Sequence, residues 1–443
     1  MTKLRLACYV VGFLILSAGW FPAGLARAQA PEPGQSYVVQ PGDTLWQIAQ
    51  ELLGDGHRYP EIIASTQAMR TEDSSYADLL NPDVVVAGTK LWVVPGSGPV
   101  LSNQGPLAGA NIEFETTQPP VGEMPGGQIA FSFWNAAPNR CTYEINIIDV
   151  SSCLADPVAC QQTRRIFALN NASEPALSPD GQRLAFRGWG DIPEKYDDET
   201  QDHPYYGCAA PNAPHQVGHT TLDGTDYYRV TQYYEDAHPD WSPDGDRLLY
   251  DTGRLGDGRT RLIAVNAVTE DEEDLRLEGQ QPAWAPDSDR FVFRGCDLTG
   301  NRCGLWLARA IPMHHWDAGQ NLIGPVLEEP AAAHPDWSPV GEEIVYQSAV
   351  GGSWDLYVIN ADGTGKRQLT SAPGLEGLPV WSPEGQWIAY LAQVAGEWGI
   401  WLIRADGSDR RLLFGLDDAS FSPGPVPPYY NRDWIDEQIS WSR

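Results

Sequence analysis

The sequence predicts a mainly β protein, a six-bladed β-propeller over residues 126–443 preceded by a small βααβ unit over 37–95. Two observations predict it. Five segments repeat one pattern: EPALSPDGQRLAF at 174–186, HPDWSPDGDRLLY at 238–250, QPAWAPDSDRFVF at 281–293, HPDWSPVGEEIVY at 334–346 and LPVWSPEGQWIAY at 378–390. They recur every 43 to 64 residues, the period of a repeat architecture whose units each hold one supersecondary element.

Residues 1–30 come first. Lys3 and Arg5 precede an apolar run from Ala7 to Phe21, and Ala26-Arg27-Ala28 has the small-x-small form of a cleavage site. This is the pattern of a secretory signal peptide, and it stands outside the fold. No later segment reaches the length of apolar residues that a membrane helix needs, so no membrane span is expected.

In the second unit, Tyr37-Val38-Val39-Gln40 reads as a short strand ending at Pro41-Gly42-Asp43. Thr44 and Gln47 can form a capping box, after which Leu45, Ile48, Ala49 and Leu52 share one helical face. A second helix is predicted over Tyr59–Gln67 with Ile62 and Ile63 inward, then a turn at Asn81-Pro82-Asp83 and a closing strand Lys90–Val94. The strings Gly42-Asp43-Thr44-Leu45-Trp46 and Leu91-Trp92-Val93-Val94 in this order resemble the LysM domain. That resemblance implies binding of N-acetylglucosamine polymers such as peptidoglycan. It implies a shallow groove between Gly42, Asp43, Thr44 and Leu45 on one loop and Asn81, Pro82, Asp83 and Val84 on the other. Each of these also has a purely structural reading, since Gly42, Asp43 and Asn81 suit turns and Thr44 suits a cap. The chain departs from the short family pattern through Gly54–His57, a loop Arg70–Asp78, and Thr66 where an Asn is common.

Residues 96–125 are rich in Gly, Pro, Ser, Gln and Thr and read as a flexible linker.

The propeller follows from one repeat. In Ser178-Pro179-Asp180-Gly181, Pro sets the first central turn position and Gly accepts the left-handed one. Apolar strands flank the turn, and further turns at Asp223-Gly224, Asp362-Gly363 and Asp406-Gly407 separate two more strands per unit, with no helical pattern. Four antiparallel strands repeated radially make a propeller. The second strand of the hairpin occurs six times, beginning with Ile129–Phe131, while the strand before it occurs five times in register. The missing copy is Gln438-Ile439-Ser440-Trp441-Ser442, so the C-terminal strand is expected to complete the first blade and close the ring. Trp241, Trp284, Trp337, Trp381 and Trp441 recur at one position, with Leu177 in the remaining copy, and are expected to pack between blades. These copies resemble the TolB-like, WD40-like Pro-Asp propeller family. The resemblance implies the fold and leaves function open, because that scaffold hosts binding proteins, peptidase domains and lyases.

Without the leader's Lys3, Arg5 and Arg27, the formal net charge moves from −30 to −33. Nucleic acid and anionic membranes demand basic patches, so neither is an expected partner. Six cysteines remain beyond the leader, an even count that suits disulfides in an exported chain. Placed on the repeat topology they pair as Cys141–Cys208, Cys153–Cys160 and Cys296–Cys303. No C-x-x-C spacing points to zinc.

No nucleophile elbow, metalloprotease helix, P-loop or dinucleotide fingerprint is found, so no catalytic residue and no cofactor is assigned. One constellation remains. The residue before the inner-strand proline recurs as Glu174, His238, Gln281 and His334, and two inner strands carry an acid, Asp240 and Asp336. These are assigned to a channel mouth, overhung by the insertion Arg187–His219. A metal at His238 and His334 is the alternative, but His before Pro more often only hydrogen-bonds, so no metal is expected. The combined expectation is an exported, non-enzymatic cell-envelope binding protein in the periplasm, cell wall or extracellular space. LysM would tether it to peptidoglycan or another GlcNAc polymer, and the propeller would present a face to a protein or glycan. The rivals are a propeller lyase or hydrolase acting at the channel mouth, and a structural envelope protein that binds no sugar.

Overall fold

The computed structural model describes residues 34–40, 45–53, 62, 65, 66, 69, 70, 73, 75, 76, 88–94, 124–135, 142–167, 172–189, 215–224, 226–231, 236–253, 259–312, 319–350, 352–371, 374–394, 397–416, 421–422 and 437–443. The leader and the linker predicted from sequence, the latter up to 123, and the body of the long insertion lie outside them.

In the small unit, strand Gln35–Val38 pairs antiparallel with Lys90–Val93, and a helix covers Leu45–Leu53. Leu45, Ile48 and Ala49 from the helix meet Val39, Ile62, Leu91 and Val93 in a single core. The predicted helical face is therefore the buried face. Thr66 is buried, and its hydroxyl accepts the Trp92 backbone N–H at 2.9 Å while Ser65 Oγ donates to Trp92 O at 2.6 Å. The departure at position 66 thus pins the second helical segment to the closing strand.

The remaining strands form a β-propeller. Four repeats stand as separate blades. The first has Ile439–Ser442 innermost, then Gln128–Asn135, Thr142–Asp149 and Arg165–Phe167. The others are Ala172–Leu177 through Tyr227–Arg229, Ala332–Trp337 through Arg367–Gln368, and Leu375–Trp381 through Arg411–Gly415. Six separate blades were expected from the repeat count, and here the structure differs. The third and fourth repeats are joined in one seven-stranded sheet. Strand Glu272–Trp284 causes this: its first part pairs with Arg261–Asn266 and its last part with Arg290–Cys296. No loop intervenes, so one chain segment is outer strand of one repeat and inner strand of the next.

The C-terminal strand closes the ring as expected, with Ile439 opposite Phe131 and Trp441 opposite Ile129. The Ser-Pro-Asp-Gly turns also form as expected. Ser178 Oγ accepts the Arg183 N–H and donates to Asp180, whose carboxylate takes the Gln182 N–H. These bonds, that to Ser178 first, hold the Asp180 carboxyl below its ordinary range. Gly181 has φ of +65°, the left-handed conformation that closes this turn.

Apolar cores fill the seams between successive repeats. Trp241 packs with Ala176, Ala185 and Tyr250; Trp284 with Leu249, Phe291 and Phe293; Trp337 with Val292 and Tyr346; Trp381 with Val345 and Tyr390. Leu177 and Trp441 fill the same place in the two seams flanking the first blade. The recurring aromatic is therefore an inter-blade wedge.

One local expectation fails. The repeats carry no helical pattern, yet the segment holding Cys153 and Cys160 forms two short helices, Val150–Ala155 and Pro157–Thr163. Asp149 caps the first by accepting the Ser152 N–H. Asp156 caps the second through Val158 and Ala159, and Pro157 occupies the first turn, where its missing N–H costs nothing. Cys153, Cys160 and Val150 enter the core shared with Leu413, Phe414 and Leu416 of the last blade, and Gln161 Nε2 donates to Gly415 O at 2.6 Å. The helical hairpin thus straps the first blade to the last.

Candidate functional site

The inner strands surround a central cavity of about 490 Å³. Its geometry begins with a backbone defect repeated around the ring. In five repeats the pairing between inner and second strand slips by one residue at the x-Pro step, between Ser173 and Ala176, Ala237 and Asp240, Gln280 and Ala283, Ala333 and Asp336, and Gly377 and Val380. The residue before proline takes a positive φ each time: 49° at Glu174 and His238, 52° at Gln281 and Leu378, 46° at His334. Pre-proline residues ordinarily stay extended, and a left-handed non-glycine residue costs on the order of 1–3 kcal/mol unless its surroundings hold it.

What holds it is the neighbouring blade. The bulge turns the residue's N–H out of its own ladder, and a side chain of the preceding repeat accepts it. Glu174 Oε2 accepts from His238 N at 2.6 Å, and Asp251 Oδ2 from Gln281 N at 2.8 Å. Gln281 Oε1 accepts from His334 N at 2.9 Å, and Gln347 Oε1 from Leu378 N at 2.6 Å. The side chains continue the relay. Arg187 Nη1 donates to Glu174 Oε1 at 2.8 Å, His238 Nδ1 lies 2.8 Å from Asp251 Oδ2, and Gln281 Nε2 lies 2.9 Å from His334 Nε2. Gln438, at the aligned C-terminal position, donates to both Pro175 O and Pro239 O at 2.9 Å.

The channel-mouth assignment therefore divides. Gln281, His334, Asp240 and Asp336 line the cavity; Glu174 and His238 do not, and they work in the seams. Among the described residues no three His, Cys, Asp or Glu side chains are grouped to hold a metal ion. Asp251 and Gln347, which carry two of the four relay bonds, were not singled out from sequence. Nor were Arg183, Arg247 and Arg290, which stack over Trp241, Trp284 and Trp337 of the next repeat at 4.3, 4.7 and 5.1 Å from the ring centres. A signal for these three existed, an Arg recurring two residues after the Gly or Ser of the turn.

Asp240 and Asp336 occupy matching positions. Asp240 Oδ2 accepts the Trp284 N–H at 2.8 Å and Asp336 Oδ2 accepts the Trp381 N–H at 2.6 Å. Burial pushes the Asp240 carboxyl up to about 7 and that of Asp336 up to about 8, against the opposing pull of the tryptophan N–H donors; Asp240 raises Asp336 further. Both acids hold a proton more tightly folded than unfolded. They therefore stabilise the fold at low pH, and that contribution is lost as pH climbs through 7 and 8. The aspartates of the turns, held low, act only at more acid pH. The melting temperature should fall by roughly 5 °C or more between pH 5.5 and pH 8.5. Asp240→Asn with Asp336→Asn should flatten that slope, and an unchanged slope in the double variant would contradict the assignment.

Cys153–Cys160 and Cys296–Cys303 are both disulfide-bonded, as paired from sequence. Cys141 and Cys208 lie outside the described residues, as do Gly42, Asp43, Thr44, Asn81, Pro82, Asp83 and Val84 of the expected glycan groove. Leu45 is described, and its side chain is in the core of the small unit.

The strands and seams define a β-propeller carrying a small N-terminal domain, and residues 37–63 match the LysM domain family. No curated protein matches the sequence. Among solved structures, the chain is similar to TolB from Acinetobacter baumannii, at 16% identity over 71% of this chain and 66% of that one, with a TM-score of 0.49. A putative TolB from Agrobacterium tumefaciens is 15% identical over 73% of this chain and 100% of its own, with a TM-score of 0.45. The hydrazine synthase of Kuenenia stuttgartiensis is 12% identical over 72% of this chain and 47% of its own, with a TM-score of 0.47.

Proposed function

We propose that this is an exported cell-envelope binding protein. Its LysM domain attaches to a GlcNAc-containing glycan, peptidoglycan above all, and its propeller, read as a ring of six repeats, presents a binding face to a protein or glycan. The observation that carries the reading is the LysM match at 37–63, supported by the strand and helix pairing built there. No helix among the described residues is long and apolar enough to cross a membrane, so attachment through the glycan gives the chain a hold on the envelope that needs no span. One LysM module desolvates few atoms, so each contact is weak, and retention on the polymer comes from avidity.

The rival reading, a lyase or hydrolase, needed Glu174, His238, Gln281 and His334 to converge on one pocket. Glu174 and His238 are instead engaged between blades, which favours binding over catalysis.

Deleting 37–95 should abolish co-sedimentation with insoluble peptidoglycan and leave the propeller's cooperative melt in place. Equal sedimentation of the full chain and the deletion variant would move the assignment to a structural envelope protein.

A further inference from the structure

The wall of the cavity alternates. At the position between the inner-strand proline and the wedge residue, repeats two, four and six place Ala176, Ala283 and Val380, while repeats one, three and five place Ser440, Asp240 and Asp336. The register confirms the match, since each opposes the equivalent residue of its second strand: Ala185, Val292, Ala389, Ala130, Leu249 and Val345. Three oxygen-bearing side chains therefore face the cavity from every second repeat, separated by apolar ones. Pro239, Pro282, Pro335, Pro379 and Ile439 add apolar surface between them, in a wall that is mixed overall.

We propose that this cavity is a receptor for a primary ammonium group carried on an unbranched aliphatic chain, with Asp240, Asp336 and Ser440 as its three acceptors. The proposal deepens the reading of the propeller as a binding unit, and rests on it. An ammonium has three N–H donors in threefold array and no acceptor, which suits three oxygens set at alternate positions of a sixfold wall. A guanidinium asks instead for two oxygens of one carboxylate side by side. Here each carboxylate already receives two backbone N–H groups, from Trp284 and Trp241 at Asp240 and from Trp381 and Trp337 at Asp336, so neither presents both oxygens free to a fork of donors. Ser440 Oγ likewise receives the Leu177 N–H, at 2.8 Å, and keeps further acceptor capacity. The four prolines and Ile439 give a methylene chain apolar surface to lie against, as lysine-type side chains bury their stems while the head is paired. A cation also offsets the mutual repulsion of two acids facing one cavity. The other charged group lining the cavity is Arg443, exposed at the end of the same strand as Ser440.

The test uses the full chain and n-pentylamine as probe in isothermal titration calorimetry at about pH 9, where Asp240 and Asp336 have given up the protons they hold up to about 7 and 8 and the amine keeps its own. Pentylamine should bind at least about tenfold more tightly than 1-pentanol, pentylguanidine or trimethylpentylammonium, the value of roughly one charge-assisted hydrogen bond. Asp240→Asn with Asp336→Asn should weaken it about tenfold or more, because each amide still accepts the tryptophan N–H but carries no charge. Circular dichroism checks that the variant is folded; the comparison among probes on the unaltered chain decides the matter even if it is not. Absence of pentylamine binding, equal binding of the guanidine or quaternary analogue, or displacement of the amine by an equal concentration of calcium chloride would overturn the proposal. A failed sedimentation test would leave this result standing, since that experiment reads residues 37–95 and this one reads the propeller wall.

Discussion

A chain lacking residues 437–443 is expected to lose its cooperative thermal transition and to bind a hydrophobic dye while still folded in part. Removing this one strand undoes several things together. Gln128–Phe131 loses its inner partner, exposing an unpaired strand edge in the middle of the ring. The seam between the last and first blades loses Ile439 and Trp441 from its core, and a buried tryptophan alone is worth about 3–5 kcal/mol. The polar ties go too. Trp441 Nε1 donates to Gly126 O at 2.9 Å, and Gln438 bridges Pro175 O and Pro239 O. Domain stability is typically about 5–15 kcal/mol, so these losses together exhaust it. Removing Arg443 alone, exposed and outside the strand, is the control. A truncated chain melting within a few degrees of the intact one would show that the ring does not depend on its closure.

The second large effect is expected at Glu174. This fully buried carboxylate pairs with Arg187, itself 8% exposed, and accepts the strained N–H of His238 in the next repeat. Glu174→Ala should cost roughly 3–5 kcal/mol, because it leaves a buried guanidinium without its carboxylate and a turned-out N–H without its acceptor. Glu174→Gln keeps an acceptor for His238 while removing the charge opposite Arg187, so it should fall between alanine and the native residue. Urea unfolding of the three proteins gives the order. If alanine and glutamine are equally tolerated, the seam bond is not what holds the left-handed residue, and bulge geometry alone must account for it.

The fold was legible because the repeat states its own chemistry. Pro-Asp-Gly can do little but turn, and a tryptophan recurring two residues after a proline has to be buried somewhere. The circular closure could be read from a missing copy at one end and a surplus at the other. The helical hairpin was not legible: Val150–Ala155 and Pro157–Thr163 are each too short for a periodicity signal, and their caps, Asp149 and Asp156, look like ordinary loop acids. Neither was the fusion of two repeats through Glu272–Trp284, because its acidic start, Glu272–Asp274, resembles a solvated loop. The candidate site was half legible. Sequence pointed to the residues before the prolines, but not to the bulge that turns their N–H groups toward the neighbouring blade. That turn makes Glu174 and His238 part of the scaffold, while Asp240 and Asp336, noticed only as acids in a strand, line the cavity.

The pairing of the last strand with the first blade also sets an order of events in time. Trp441 and Gly126 are 315 residues apart, yet they meet in one blade. The entropy of closing a loop grows only slowly with its length, so the distance burdens the folding rate more than the final stability. The first blade is then an open three-stranded edge until Ile439–Ser442 has been made. The ring cannot lock before Ile439–Ser442 has been made, so the propeller stays unlocked, and threadable, through all of the synthesis that precedes that strand.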